Sequence, residues 1–137
     1  MERILVAIDG KQSAWQALSH AFFLAKRIDA QVNVLLILPS LRIFQTKEEK
    51  ERQDAVTQRL SYHIEKAQVE GIRINLFFTE GHYAEEVIRF VNQNKITLVM
   101  HEAEQGDMRT AMRESSFLQS LRLRVNCRVE VIAPKKQ

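Results

Sequence analysis

The chain opens on an unbroken apolar run, Ile4-Leu5-Val6-Ala7-Ile8, rich in branched residues and closed by Asp9-Gly10. A short run without alternation predicts a strand buried on both faces. Apolar residues then recur at helical spacing, at Ala14, Ala17, Leu18, Ala21, Phe22, Ala25 and Ile28, with Ser13 as a cap and Lys11 or Gln12 as alternative starts. Val32 to Leu38 predicts a second strand ended by Pro39, and Ser40 to Lys47 a loop carrying Ile43 and Phe44. Lys47 to Glu70 predicts a long polar helix with a buried stripe of Val56, Leu60, Ile64 and Ala67, closed by Gly71. The charged run Lys47-Glu48-Glu49-Lys50-Glu51-Arg52 is its solvated beginning. Ile72 to Phe78 follows as a strand, and Gly81 as a turn. Ala84, Val87, Ile88 and Val91 form a helical stripe, and Ile96 to Met100 a fourth strand. After a polar stretch from His101 to Asp107, Phe117, Leu118, Leu121 and Val125 mark a fourth helix, and Val129 to Ala133 a last strand before the tail Pro134-Lys135-Lys136-Gln137.

Strands alternating with helices imply parallel pairing through right-handed crossovers, an α/β fold. With 137 residues, no repeat and no linker, a single domain over 1–137 is expected. The mixture of 45% hydrophobic and 27% charged residues is that of a soluble globular protein. The formal net charge of +3 is too small to argue for nucleic acid or anionic lipid. The longest apolar stretch, Val34 to Leu38, is too short to span a membrane, and with Met1-Glu2-Arg3 leading straight into a strand no signal peptide is expected. The lone Cys127 cannot close an intrachain disulfide, so a cytoplasmic setting is expected.

Several segments together resemble the universal stress protein family. Arg3-Ile4-Leu5-Val6-Ala7-Ile8-Asp9-Gly10 and the helix through Lys26 are similar to its opening, and Glu80-Gly81-His82-Tyr83-Ala84-Glu85-Glu86-Val87-Ile88 to its turn and helix before strand four. Thr97-Leu98-Val99-Met100 resembles its fourth strand, Ser115-Ser116 the start of its last helix, and Cys127-Arg128-Val129-Glu130-Val131-Ile132 its last strand. The resemblance implies an open five-stranded parallel sheet, order 3-2-1-4-5, Rossmann-like, with helices on both faces. Ligands in such sheets bind beyond the strand C-termini where the order reverses, here between strands one and four.

The family's nucleotide-binding branch carries Gly-x2-Gly-x9-Gly-(Ser/Thr) after strand four. Glycines there let backbone N–H groups approach phosphates, and a helix N-terminus adds partial positive charge. In this chain the first two positions hold His101 and Glu104. The third falls on Glu114 or Ser115, and the hydroxyl on Ser115 or Ser116. Gly106 does not repair the spacing. Glu102, Glu104, Asp107 and Asp9 also have the wrong sign for a triphosphate, although Mg or Arg109 and Arg113 could offset part of that repulsion. The resemblance is therefore to the branch without the glycine motif. A vestigial nucleotide site is expected at Asp9, Gly10, His101, Glu104, Ser115 and Ser116, with no cofactor. ATP with Mg, bound through an altered loop, is the alternative.

Other constellations point more weakly. His101, Glu102, Glu104 and Asp107 match no metal-ligand spacing and read as a solvated loop, so no metal is expected. Asp9 reads as a capping and turn residue rather than an acid–base group or phosphate acceptor. His20, His63 and His82 pair with no serine or cysteine in a nucleophile motif, and no catalytic residue is assigned. Cys127, near Arg124 and Arg128, is either an activated or an inert thiol, the latter favoured. Trp15 and Phe23 fit either a partner surface or packing beneath the long loop. Arg122-Leu123-Arg124, Arg128 and Lys135-Lys136 lack interleaved aromatics for stacking bases, so no specific nucleic acid is expected. An apolar final strand at a sheet edge invites pairing with a second copy through Val129, Val131 and Ala133, with Arg128 and Lys135 flanking the seam. The resulting expectation is a non-catalytic, homodimeric stress-response module; the alternatives are an ATP- or AMP-binding protein and a weak ATP-hydrolysing enzyme.

Overall fold

The computed structural model describes residues 1–9, 14–39 and 45–134. Five strands, β1 (Glu2–Asp9), β2 (Ala30–Leu38), β3 (Arg73–Glu80), β4 (Leu98–Glu102) and β5 (Arg128–Ile132), alternate with α1 (Trp15–Arg27), α2 (Lys47–Val69), α3 (Tyr83–Gln93) and α4 (Met108–Arg124). The strands form one parallel sheet of order β3-β2-β1-β4-β5. Gly10, Ser13, Ile43, Phe44, Lys135 and Lys136 lie outside the described residues.

The apolar runs of β1 and β2 are continuous because both faces of the sheet are covered. Alternate side chains of a strand point to opposite faces. Ile4, Val6 and Ile8 pack with Ala17, Leu18, Ala21, Leu60 and Ile64 of α1 and α2 on one face. Leu5 and Ala7 pack with Val87, Ile88, Val91 and Leu121 of α3 and α4 on the other. Asn33, buried in β2, is satisfied by donating from Nδ2 to the Ile4 carbonyl at 3.2 Å. Thr46 caps α2, its hydroxyl accepting from the Glu49 N–H, and Gly71 follows that helix at φ +91°. No helix among the described residues is long and apolar enough to cross a membrane.

Three boundaries depart from the sequence reading, and they matter for the site. Strand four runs Leu98–Glu102, because Ile96 is used in closing the turn from α3 while Lys95 takes φ +53°. His101 and Glu102 are therefore buried strand residues and not part of a solvated loop. The last helix begins at Met108, where Asp107 accepts the Thr110 N–H at 3.0 Å, so Ser115 and Ser116 sit inside it and not at its start. The final strand spans Arg128–Ile132, with Ala133 just beyond its end.

A candidate ligand crevice closed by its own carboxylates

Between β1 and β4 the chain departs to opposite faces of the sheet, which opens a crevice at their C-terminal ends. A nucleotide phosphate in such a crevice would take backbone N–H groups at the start of a helix and in the loop after β4. Donors of both sets are engaged by the chain's own carboxylates.

The first set belongs to α1. Its N-cap, Ala14, has no side-chain acceptor to offer. The N–H groups of Gln16 and Ala17 instead reach across to β4 and donate to Glu102 Oε1, at 2.7 and 3.0 Å. Glu102 is 6% exposed, and its carboxylate meets these amides and the positive end of α1.

The second set belongs to the loop after β4. The Glu104 N–H donates to Glu114 Oε2 at 2.6 Å. The same oxygen lies 3.0 Å from His101 Nε2, which donates when it carries the proton. Glu114 is one of the two positions, with Ser115, on which the third glycine would fall, and its side chain reaches back from α4 to the loop. It therefore removes a close backbone approach and also fills an anion position. The early start of α4 makes this reach possible, since Glu114 is already on a formed helix turned toward β4.

Aromatic packing seals the inner wall. The His101 ring lies 5.3 Å from Phe117, and Phe117 lies 5.2 Å from Tyr83. Tyr83 is half-buried, and its hydroxyl points inward to the Ala7 carbonyl at 3.4 Å. Burial holds this phenol far above its usual range, and the Asp9, Glu104 and Glu114 carboxylates add to the effect. A further negative charge brought to about 4 Å from one such carboxylate is opposed by about 4 kcal/mol at an effective dielectric of 20. Of the arginines that might compensate, Arg113 reaches Glu104 at 3.5 Å and Arg109 is exposed.

The expected site residues are thus only partly brought together. Asp9 ends β1, His101 lies in β4 and Glu104 in the following loop, while Ser115 and Ser116 are exposed in the interior of α4. Glu102 as a cap, Glu114 as a plug and the Tyr83–Phe117 wall are what the sequence reading missed. The one available signal was a carboxylate standing at a position reserved for glycine. Among the described residues no group of three or more His, Cys, Asp or Glu is arranged to hold a metal ion. Cys127 is half-buried, and burial pushes its thiol above the usual range, which disfavours the thiolate. Trp15 packs against α2, 5.7 Å from His63 and beneath the Arg59 guanidinium at 4.3 Å, while Phe23 remains exposed.

The doubly wound parallel sheet and its crevice define a Rossmann-like α/β scaffold. The sequence model of the universal stress protein family matches residues 1–132, and the chain belongs to that family. Solved structures agree in fold. A universal stress family protein from Burkholderia pseudomallei is 24% identical, covering 96% of this chain and 95% of that one at a TM-score of 0.59. One from Archaeoglobus fulgidus in complex with dAMP is 18% identical over 96% and 98%, at 0.65. A third, in complex with cAMP, is 14% identical over 96% of both chains, at 0.69. No curated protein matches the chain.

Proposed function

We propose that this universal stress protein works without a nucleotide, as a non-catalytic regulatory module in the cytoplasm, and that it does so as a homodimer joined through β5. The observation that carries the first part is Glu114, whose carboxylate holds the Glu104 N–H and His101 where a phosphate would need them. Glu102 does the same at the head of α1. A nucleotide entering the crevice would have to displace two carboxylates from charge-assisted bonds and then lie beside them. The competing reading is an ATP- or AMP-binding member, which the solved relatives holding dAMP and cAMP favour.

The dimer rests on the sheet edge. Among the described residues β5 pairs with β4 only, which leaves its outer N–H and C=O groups without a strand partner there, and Val131 is 43% exposed. Pairing two copies of this edge about a two-fold closes the sheet without open-ended growth. Val129 and Val131 share the face toward α4, with Ala133 beyond the strand end.

Native mass spectrometry of freshly purified protein, with MgATP calorimetry beside it, tests both parts. A ligand-free dimer with no heat of binding is expected. Micromolar MgATP affinity would overturn the nucleotide-free reading, and a monomer at micromolar concentration the dimer. Val131→Pro, which removes a backbone donor from the edge, should leave the fold and lose the dimer.

A further inference from the structure

The flank of α4 that looks past the edge of β5 is a groove of about 500 Å³, with Glu104 and Glu114 at one end and Arg122 at the other. Ala111, Ser115, Leu118 and Arg122 recur at spacings of three and four and so share this flank. The opposite flank faces α3, where Arg124 is held by Glu85 at 2.7 Å. Arg122 is exposed and has no ion pair among the described residues. Leu123, also lining the groove, is 78% exposed.

We infer that this groove is filled by α4 of a second copy, packed antiparallel, with Leu118 on the two-fold axis and Arg122 of each chain set against Glu104 of its mate. The inference rests on the dimer through β5 and adds the side chains that select it. Three observations lead to it. A two-fold that pairs β5 antiparallel with its copy also lays the two α4 helices antiparallel, because each helix runs against its own strand. An antiparallel pair sets the acidic end of one groove against the basic end of the other, so the charge pattern complements itself. Leu118 lies midway in sequence between Glu114 and Arg122, so crossing there brings both charged ends into register. A residue on the axis of an isologous interface meets its own copy. The occupant is therefore a second copy of this chain rather than a different protein. The ion pairs act mainly on register and on encounter rate, and salt weakens them.

The test uses the full chain with Cys127→Ser as background. Leu118→Cys should form an intermolecular disulfide under mild oxidation, whereas Val69→Cys, exposed at the far end of α2, should not. Arg122→Glu should raise the dimer dissociation constant at least tenfold, and so should Glu104→Lys. Mixing those two variants should restore a heterodimer of near wild-type affinity, since each pair in it again joins opposite charges. A dimeric wild type in which Leu118→Cys does not cross-link, or in which the mixture shows no rescue, overturns the α4 contact and leaves the β5 dimer standing. A monomeric wild type overturns both.

Discussion

Glu102→Ala removes the acceptor for two amides at the head of α1. Ala17 is fully buried, so its N–H has no solvent to turn to, and an orphaned buried donor costs about 1–3 kcal/mol. Gln16 is half-buried and can be partly rehydrated, so its loss is smaller. The favourable field between the carboxylate and the positive end of α1 also disappears, up to about 2 kcal/mol in a partly buried geometry. One gain opposes these losses, because the variant no longer keeps a charge away from water, a penalty of several kcal/mol in the wild type. The balance is a loss of about 2 kcal/mol. At about 4 °C per kcal/mol for a domain of this size, the melting midpoint should fall by roughly 8 °C. Glu102→Gln keeps an oxygen acceptor but not the charge, and should lose about half as much. Urea unfolding at pH 7 gives the free energies, and hydrogen exchange at the Ala17 amide gives the local effect. A Glu102→Ala variant within about 0.5 kcal/mol of wild type, with Ala17 protection unchanged, would refute the cap.

Gly81 turns the chain at φ +143°, and a Cβ there would stand 3.1 Å from the Glu86 side chain, so Gly81→Val should cost about 1–3 kcal/mol in a thermal melt. Glu86 has little room to give, being 7% exposed and bonded by the Thr79 hydroxyl at 2.6 Å. The His63 imidazole is held below its usual range by burial, then by Arg59 and Lys66. The unfolded chain therefore takes up this proton first, so the contribution of His63 is present above about pH 6.5 and is lost as pH falls toward the folded value; His63→Phe should flatten that part of the stability–pH curve. Restoring glycine at His101 and Glu104 should not create MgATP binding while Glu114 remains, and adding Glu114→Gly should give the first measurable heat in calorimetry. Equal gain from the double variant would show that Glu114 does not close the crevice.

The fold was legible because two-sided burial writes itself as unbroken apolar runs. Ile4–Ile8 and Val32–Leu38 read as buried strands and lie inside β1 and β2, and within the helical stripes Leu60, Ile64, Ala67, Val87, Ile88 and Val91 are buried. The edge strand β5 was legible from order and from the family resemblance together. The site was less so, for a physical reason. Propensity reads His101-Glu102 as polar and therefore as loop, whereas the sheet extends through them because each has a partner supplied from elsewhere in the chain, Glu114 for one and the α1 amides for the other. Such long-range pairing leaves no local signature. The same holds for the start of α4, where Met108 to Glu114 carries no apolar period because that turn of helix is anchored by Asp107 and by Glu114 rather than by packing.

The loss of a glycine motif is usually read as the loss of a contact. Here the replacements do more, because each vacated role is filled by a group of the same charge as the ligand. An amide that had bound phosphate would, if merely left empty, keep its demand for an acceptor, and a small anion or water would still be drawn to it. Glu114 meets that demand from within the chain, and Glu102 meets it at α1. The carboxylates thus serve the folded state in the way a bound ligand would, without its concentration dependence. A family member built in this manner can hold its crevice in a single arrangement whatever the nucleotide level. In the nucleotide-free protein proposed above, the response would come through surfaces that a second copy can read, and the exposed edge of β5 beside the α4 groove is the surface the proposed dimer uses.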